Sequence, residues 1–483
     1  MNTQPDRAPN PAILVIFGIT GDLSQRYLLP SIYHLFKDKL LHDETVILGI
    51  TRQAITPKEL LSNVELCINE IDNICDPVAL KAVETHLRMH QMSMTEPSDY
   101  AGLLQLMNSI EEEKGMCLDR LYYLSIPPQI FDPIVRNLGE QGLNASCQHG
   151  RAATRLLVEK PFGFNLASAK ELIENTNKWF GEDQLFRIDH YLAKETAQNI
   201  LTFRDQNPLF SNVWDGEHIS AIEIIASEKI GIEGRATFYE QTGALRDFIQ
   251  SHLIQLLAVV TLDMPDNLTS DSIHTAKAEL LQHITPIAPD KVDEHAWRGQ
   301  YDGYKTEVGN DDSIIETYAA VQLTIDKPRW QDTKVTLATG KALASRETEV
   351  KVYFNGVDGE KLNDNLVSFR IQPNEGISFR LNAKKPGFDN ISEPVDMDFS
   401  YANSFNDHGH PSAYERVLVD AVRGDHTLFS TATEVIAAWQ AVEAVAEAWG
   451  RSAEGLTVYQ KGVELRSLPP FASQHNEQAN GAA

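Results

Sequence analysis

The stretch FRIDHYLAKE (186–195) sets an acid, an imidazole, a phenol and an amine between Asp189 and Lys194. The pattern predicts a helix over 190–203, which would put His190 and Lys194 four apart on one face. Two potential cations on one face repel each other unless an anion lies between them, so the segment reads as an anion site. A second candidate is His252 in EQTGALRDFIQSHLIQLLAVV, with Arg246 and Asp247 a turn earlier. A histidine in such apolar surroundings is more often a core residue bonded to a carbonyl than a general base. On the residues alone both readings stand.

Three further motifs bear on anions. FGITGDL follows an apolar strand, with Gly18 and Gly21 three apart before a helix expected at Leu28. A strand, a glycine turn and a helix N-terminus point backbone N–H groups outward and let a phosphate approach. GITRQ places Arg52 and Gln53 after the second strand, where dinucleotide folds that bind NAD keep an acid; an arginine suits the 2′-phosphate of NADP. Each motif alone fits a plain turn or a surface arginine, but together in one βαβ unit they favour the cofactor. In VEKPFG, Lys160 sits at a strand end before Pro161, where ligands meet parallel sheets, although a solvated turn lysine fits as well.

The elements that position these residues divide the chain. In the first third AILVIF (12–17), TVILGI (45–50), RLYYLSI (120–126) and TRLLVE (154–159) read as strands. The helical stretches 28–38, 57–71 and 128–141 alternate with them. Apolar strands between helices predict a doubly wound parallel sheet. After about residue 200 strand-like runs cluster at 217–228, 314–326, 347–355, 365–373 and 376–385, with helices at 240–262, 412–424 and 430–450. That grouping predicts a larger α+β unit on a mostly antiparallel sheet. The expected units are 1–190, 191–472 and a disordered tail from 473 to 483.

The chain has 483 residues, 42% hydrophobic and 23% charged, with a formal charge of −26. The charge argues against nucleic acid or an anionic membrane as partner, and makes any local basic cluster informative. No apolar run reaches a membrane span, and the first ten residues lack a signal core, so a cytoplasmic location is expected. Cys67, Cys75, Cys117 and Cys147 show no metal spacing and read as reduced thiols.

Taken together, GITGDLSQRYLLPSIYHL, TRQ, YYLSIPP, VEKPFG, RIDHYLAKE, YEQTGALRDFIQSH, TGKAL and IQPNEGISFRLNAKKPG resemble the glucose-6-phosphate dehydrogenase family over nearly the whole chain. RIDHYLAKE is the most specific block, with alanine where glycine is usual. The resemblance implies oxidation of glucose 6-phosphate at C1 to the lactone, with NADP as cofactor and no metal. It implies that His190, Tyr191 and Lys194 hold the 6-phosphate, that His252 is the base and that Asp189 orients it. Glu228, Asp247 and Lys341 match positions at the sugar, and Lys160 the lysine between sugar and cofactor. Cofactor contacts fall on Gly18, Thr20, Gly21, Asp22, Leu23, Arg52 and Lys160. A homodimer or homotetramer built through the sheet domain is implied too.

The chain departs from the family pattern at Gln25 and Tyr27, where lysines are common, and at Ala338 and Ala342, where arginines are usual. Fewer cations leave two alternatives open, a dehydrogenase of another hexose phosphate and a non-catalytic NADP-binding regulator. Intact Asp189, His190, Lys194 and His252 speak against the regulator.

Overall fold

The computed structural model describes residues 9–72, 75–146, 152–356, 365–405 and 411–472. The expected disordered tail and Cys147 lie outside these. Seven strands make the first sheet: β1 Ala12–Phe17, β2 Val46–Thr51, β3 Leu87–Gln91, β4 Asp119–Leu124, β5 Thr154–Val158, β6 Leu185–Ile188 and, much later, the two-residue β16 Phe429–Ser430. Their order is β16-β6-β5-β4-β1-β2-β3. All are parallel except β16, which runs antiparallel to β6. The strand order reverses beside β1, between β2 and β4, which is where such sheets open a crevice for a dinucleotide.

Both faces of this sheet are buried because β1 is apolar at every position. Leu14 and Ile16 pack with Leu121, Tyr123 and Leu157 on one face. Ile13, Val15 and Phe17 pack with Tyr122, Leu124 and Leu156 on the other. The helix Ala413–Arg423 returns to the first face, adding Val417, Leu418 and Val422.

The second sheet holds β7 Ile219–Ser227, β8 Ile284–Thr285, β9 Ala296–Tyr301, β10 Tyr318–Ile325, β11 Lys334–Gly340, β12 Glu347–Phe354, β13 Leu366–Gln372, β14 Gly376–Lys384, β15 Ser392–Ser400 and β17 Leu456–Tyr459. Its order is β15-β14-β13-β12-β7-β11-β10-β9-β17, with β8 paired to β10. Pairing is antiparallel except at β7–β11 and β9–β17. The strands β3, β9, β11 and β15 carried no period strong enough to be expected from sequence.

Three expectations change. The first helix begins not at Leu28 but with a π-helical turn over Ser24–Leu28, continued by an α-helix over Leu29–Lys37. The single helix expected over 240–262 is three segments: Ala236–Ala244, a π-helix Leu245–Leu253 and an α-helix Ile254–Thr261. Gly243, at φ +62, breaks the first from the second. Cys67 and Cys75 are reduced thiols, as expected, but Cys117, also expected reduced, is disulfide-bonded, because spacing along the chain does not say which thiols meet in space. No helix among the described residues is long and apolar enough to cross a membrane.

Gly18 has φ +78, and a Cβ there would collide with the carbonyl oxygen of Ser125. Gly18→Ala should therefore destabilise the fold by at least ~1–2 kcal/mol, the cost of a left-handed backbone for a residue with a Cβ. The test is the denaturant midpoint of the variant, which should fall with the slope unchanged.

Candidate active site

The site assembles where β6 ends beside the π-helix. Asp189 follows β6 directly, and its Oδ1 accepts the Tyr191 N–H at 2.9 Å. That bond, with Leu192 N–H to Asp189 O at 3.1 Å and Lys194 N–H to Tyr191 O at 3.3 Å, folds 189–194 into successive turns. The helix starts only at Glu195, with Lys194 as its N-cap. The expected shared helical face of His190 and Lys194 is thus overturned: an aspartate side chain that captures a nearby N–H competes with helix for that backbone.

The same Asp189 Oδ1 lies 2.7 Å from His252 Nδ1. Both side chains are buried, at 4% and 1% exposure. Burial depresses the pKa of His252, and Lys160 depresses it further, while Asp189 pushes it the other way. Burial alone would raise Asp189. The charge and hydrogen bond of His252, with His190 and the Tyr191 N–H, outweigh it and hold the carboxyl well below the ordinary range. The partners assign a neutral imidazole that donates from Nδ1 and keeps a lone pair on Nε2.

That lone pair already has a donor. Lys160 Nζ lies 2.7 Å from His252 Nε2, and also donates to Asp247 O at 2.8 Å and Asp247 Oδ1 at 3.0 Å. Burial opposes ionisation of Asp247, but Lys160 and Lys341 hold its pKa down. Around the imidazole, the ring of Tyr191 lies 4.4 Å away, that of His190 4.6 Å and that of Phe248 5.6 Å. Burial, then His252 and Lys160, push the pKa of His190 far down, so it is a neutral ring beside the base. Arg246 turns away, donating to Phe164 O and Ala446 O.

Lys194 sits to one side of the base. Its Nζ donates to Gln372 Oε1 and lies 4.9 Å from the Tyr191 ring centre. Gln372 Nε2 in turn reaches Thr348 Oγ1 at 3.1 Å and Tyr191 Oη at 3.4 Å. Burial lowers the Lys194 pKa to about 8, with Glu375 raising it and Arg346 lowering it. Gln372, Thr348 and Arg346 were missed in the sequence; the one available signal was that Gln372 lies within the block IQPNEG.

Across the cleft, β7 and β11 run parallel and in register, Ser227 opposite Gly340. Their next residues, Glu228 and Lys341, consequently sit side by side as an ion pair. Lys341 Nζ also lies 5.3 Å from the Tyr239 ring centre. Ala338 and Ala342 are buried in a cluster with Tyr239, Tyr318 and Leu343, so the arginines usual there would have no open cleft to enter. Tyr27 is 52% exposed and stacks on Tyr414 at 5.6 Å. Gln25 Nε2 donates to Thr20 O at 2.6 Å.

The glycine turn closes through Gly21 N–H to Gly18 O at 2.8 Å. Ser24 Oγ bonds both Gly18 O, at 3.1 Å, and Ser125 Oγ, at 2.9 Å. Thr20 and Asp22 are exposed and Leu23 is partly buried. Leu23 caps the π-turn without a side-chain bond. Arg52 is exposed just beyond β2, and no acid adjoins it in sequence. This turn and this arginine fit a dinucleotide carrying a 2′-phosphate.

Two family profiles match. One, described as the NAD binding domain of glucose-6-phosphate dehydrogenase, covers residues 15–199; the other, its C-terminal domain, covers 201–470. The glucose-6-phosphate 1-dehydrogenase of Chlamydia muridarum is 36% identical over 465 residues, covering 91% of each chain. That of Bacillus subtilis is 35% identical, covering 93% of this chain and 94% of its own. Among solved structures, a glucose-6-phosphate dehydrogenase in complex with glucose-6-phosphate aligns at TM-score 0.88 and 29% identity. It covers 97% of this chain and 98% of its own.

The Asp189–His252 pair has a stability consequence. Unfolded histidine takes a proton below about pH 6.5, and unfolded aspartate only near 3.9. Both folded pKa values lie below these, so the unfolded state binds more protons and stability falls as pH drops. The unfolding free energy should decline from about pH 6.5 downward, and His252→Asn should flatten the first part of that decline. Denaturant titrations at stepped pH read it directly.

Proposed function

The chain belongs to the glucose-6-phosphate dehydrogenase family, and we propose that it oxidises D-glucose 6-phosphate at C1 with His252 as general base, oriented by Asp189. The product is 6-phospho-D-glucono-1,5-lactone, and the step opens the oxidative pentose phosphate pathway. The observation that supports this reading is the Asp189–His252 contact, which fixes the tautomer and leaves Nε2, where Lys160 Nζ lies, as the proton-accepting end.

In this reading the C1 hydroxyl takes the place of Lys160 at Nε2 and gives its proton to His252. Asp189 keeps the ring oriented and stabilises the imidazolium. Lys194, Tyr191 and His190 receive the 6-phosphate, while Asp247, Glu228 and Lys341 receive sugar hydroxyls. NADP, when bound, accepts the hydride. The Gly18–Leu23 turn, Arg52 and Lys160 would hold it. The acidic chain and the family support a cytoplasmic enzyme. The family also supports a homodimer or homotetramer through the second sheet, whose outer strands leave Leu381, Val395 and Met397 exposed. Leu381 pairs with Val395, so they share a face. For domains we propose a nucleotide unit over 1–190 and a substrate unit over 191–472.

The test of the base is turnover on confirmed folded protein with glucose 6-phosphate and NADP. His252→Asn should lower kcat at least about a hundredfold with little change in KM, since general-base catalysis supplies roughly 10²–10⁴-fold. Near-normal turnover would end the assignment.

For the cofactor, one charged contact to a phosphate is worth roughly 1.5–3 kcal/mol, or about ten- to a hundredfold. Arg52→Ala should lose that much NADP affinity and leave NAD use nearly unchanged. Equal loss of both would overturn the arginine's role.

A further inference from the structure

Glu159 takes no part in the mechanism above, yet it stands between β5 and Lys160. The parallel register pairs Tyr123 with Leu157 and Leu124 with Val158. With side chains alternating along a strand, Tyr123, Leu157 and Glu159 share one face. The Tyr123 hydroxyl donates to Glu159 Oε1 at 2.5 Å. Tyr123 is fully buried, and Glu159 lines a cavity of about 220 Å³ together with Lys160, Pro161 and Phe164.

The titratable groups that face this carboxyl come from four places. Tyr123 lies on β4, Lys160 follows in the chain, Asp189 lies beyond β6, and Tyr414 stands on the helix Ala413–Arg423. Only Lys160 among them brings positive charge. That ammonium is the one engaged with Asp247 and with His252 Nε2.

We propose that Glu159, anchored by Tyr123, is a positioning residue whose charge sets how firmly Lys160 occupies His252 Nε2. The proposal rests on the reading of His252 as base. When Glu159 is ionised, its carboxylate attracts the ammonium of the adjoining Lys160. The hold on Nε2 weakens, and the C1 hydroxyl gains access to the lone pair. When Glu159 is protonated, that pull is gone and Lys160 stays in place. Burial raises the Glu159 pKa to about 7, against the lowering effects of Tyr123 and Lys160, and Asp189 adds to the rise. The switch in charge therefore falls at neutral pH, above the titration of the depressed His252.

The experiment is kcat/KM for glucose 6-phosphate across neutrality in wild type, Glu159→Gln, Tyr123→Phe and His252→Asn. Wild type should show two rises with pH, a lower one from His252 and an upper one near 7 from Glu159. Glu159→Gln keeps a hydrogen-bond acceptor for Tyr123 but cannot ionise. It should lose the upper rise alone and level off about tenfold below wild type, one unit of charge interaction. Tyr123→Phe removes a bond that lowers the Glu159 pKa, so its upper rise should move to higher pH and reach the wild-type plateau. A merely structural role would depress activity at every pH and move neither limb. An upper rise that persists in Glu159→Gln, or stays fixed in Tyr123→Phe, overturns the proposal. Should Glu159→Gln not fold, Tyr123→Phe decides alone. His252→Asn separates the two readings: if it keeps the lower limb, the base is misassigned. If it loses that limb while Glu159→Gln matches wild type, only the role of Glu159 falls.

Discussion

Asp189 and His252 lie 63 positions apart in sequence, and the buried carboxylate depends on the imidazole as a donor. An ionised carboxylate in an apolar interior is tolerable only when its oxygens are occupied, and Oδ1 here takes both the His252 Nδ1–H and the Tyr191 N–H. Removing one partner of such a pair typically costs roughly 3–5 kcal/mol, because it strands the other. The bond also joins the end of the parallel sheet to the helix that runs over the second sheet. Once Nδ1 is committed to Asp189, Nε2 is the only nitrogen left for chemistry, and every other group at the site is arranged around it.

Two local departures from regular structure make that arrangement. The first is the turn after β6, where the Asp189 side chain holds a backbone N–H that a helix would otherwise claim. The second is the π-helix over Leu245–Leu253. Asp247 and His252 are five residues apart, which in an α-helix, at 3.6 residues per turn, sends them to different sides. A π-helix closes its turn over five residues and brings them to one side, so that a single ammonium, Lys160, reaches both. Gly243 and Glu316 set where the wider turn begins. Glu316 Oε1 accepts the Leu245 N–H at 2.9 Å, and the glycine at φ +62 leaves room for that carboxyl.

This explains what could be read from the sequence and what could not. AILVIF corresponds to β1 residue for residue, because a strand buried on both faces is a bare apolar run with sharp ends. The pair proposed as catalytic was legible only through the family resemblance, since nothing local in QSHLIQLL distinguishes a base from a core histidine. The shared helical face of His190 and Lys194 failed because spacing predicts a helix without knowing that Asp189 would cap a turn instead. Gln372 and Thr348 come from neighbouring strands β13 and β12, and a cross-strand contact leaves no periodic trace. The π-helix was illegible for a related reason: its composition is that of any amphipathic helix.

The charge of the chain gives the arrangement its last constraint. With a formal charge of −26, the protein repels anions at long range, so binding must come from cations not already neutralised at the site. Lys160 has Asp247 and Lys341 has Glu228, each within ion-pair distance. Lys194 instead hydrogen-bonds a neutral amide, Gln372, and lies against the face of Tyr191. Burial lowers its pKa to about 8, because it disfavours the ammonium more than Glu375 supports it, and Arg346 adds to the lowering. A phosphate dianion placed there would supply the missing charge, raise that pKa and gain charge-assisted hydrogen bonds. Sugar hydroxyls, being neutral, can instead slip between paired ions without leaving either one exposed. The division of labour proposed between Lys194 for the phosphate and the Lys160 and Lys341 pairs for the ring therefore follows from how each lysine is compensated before any ligand arrives.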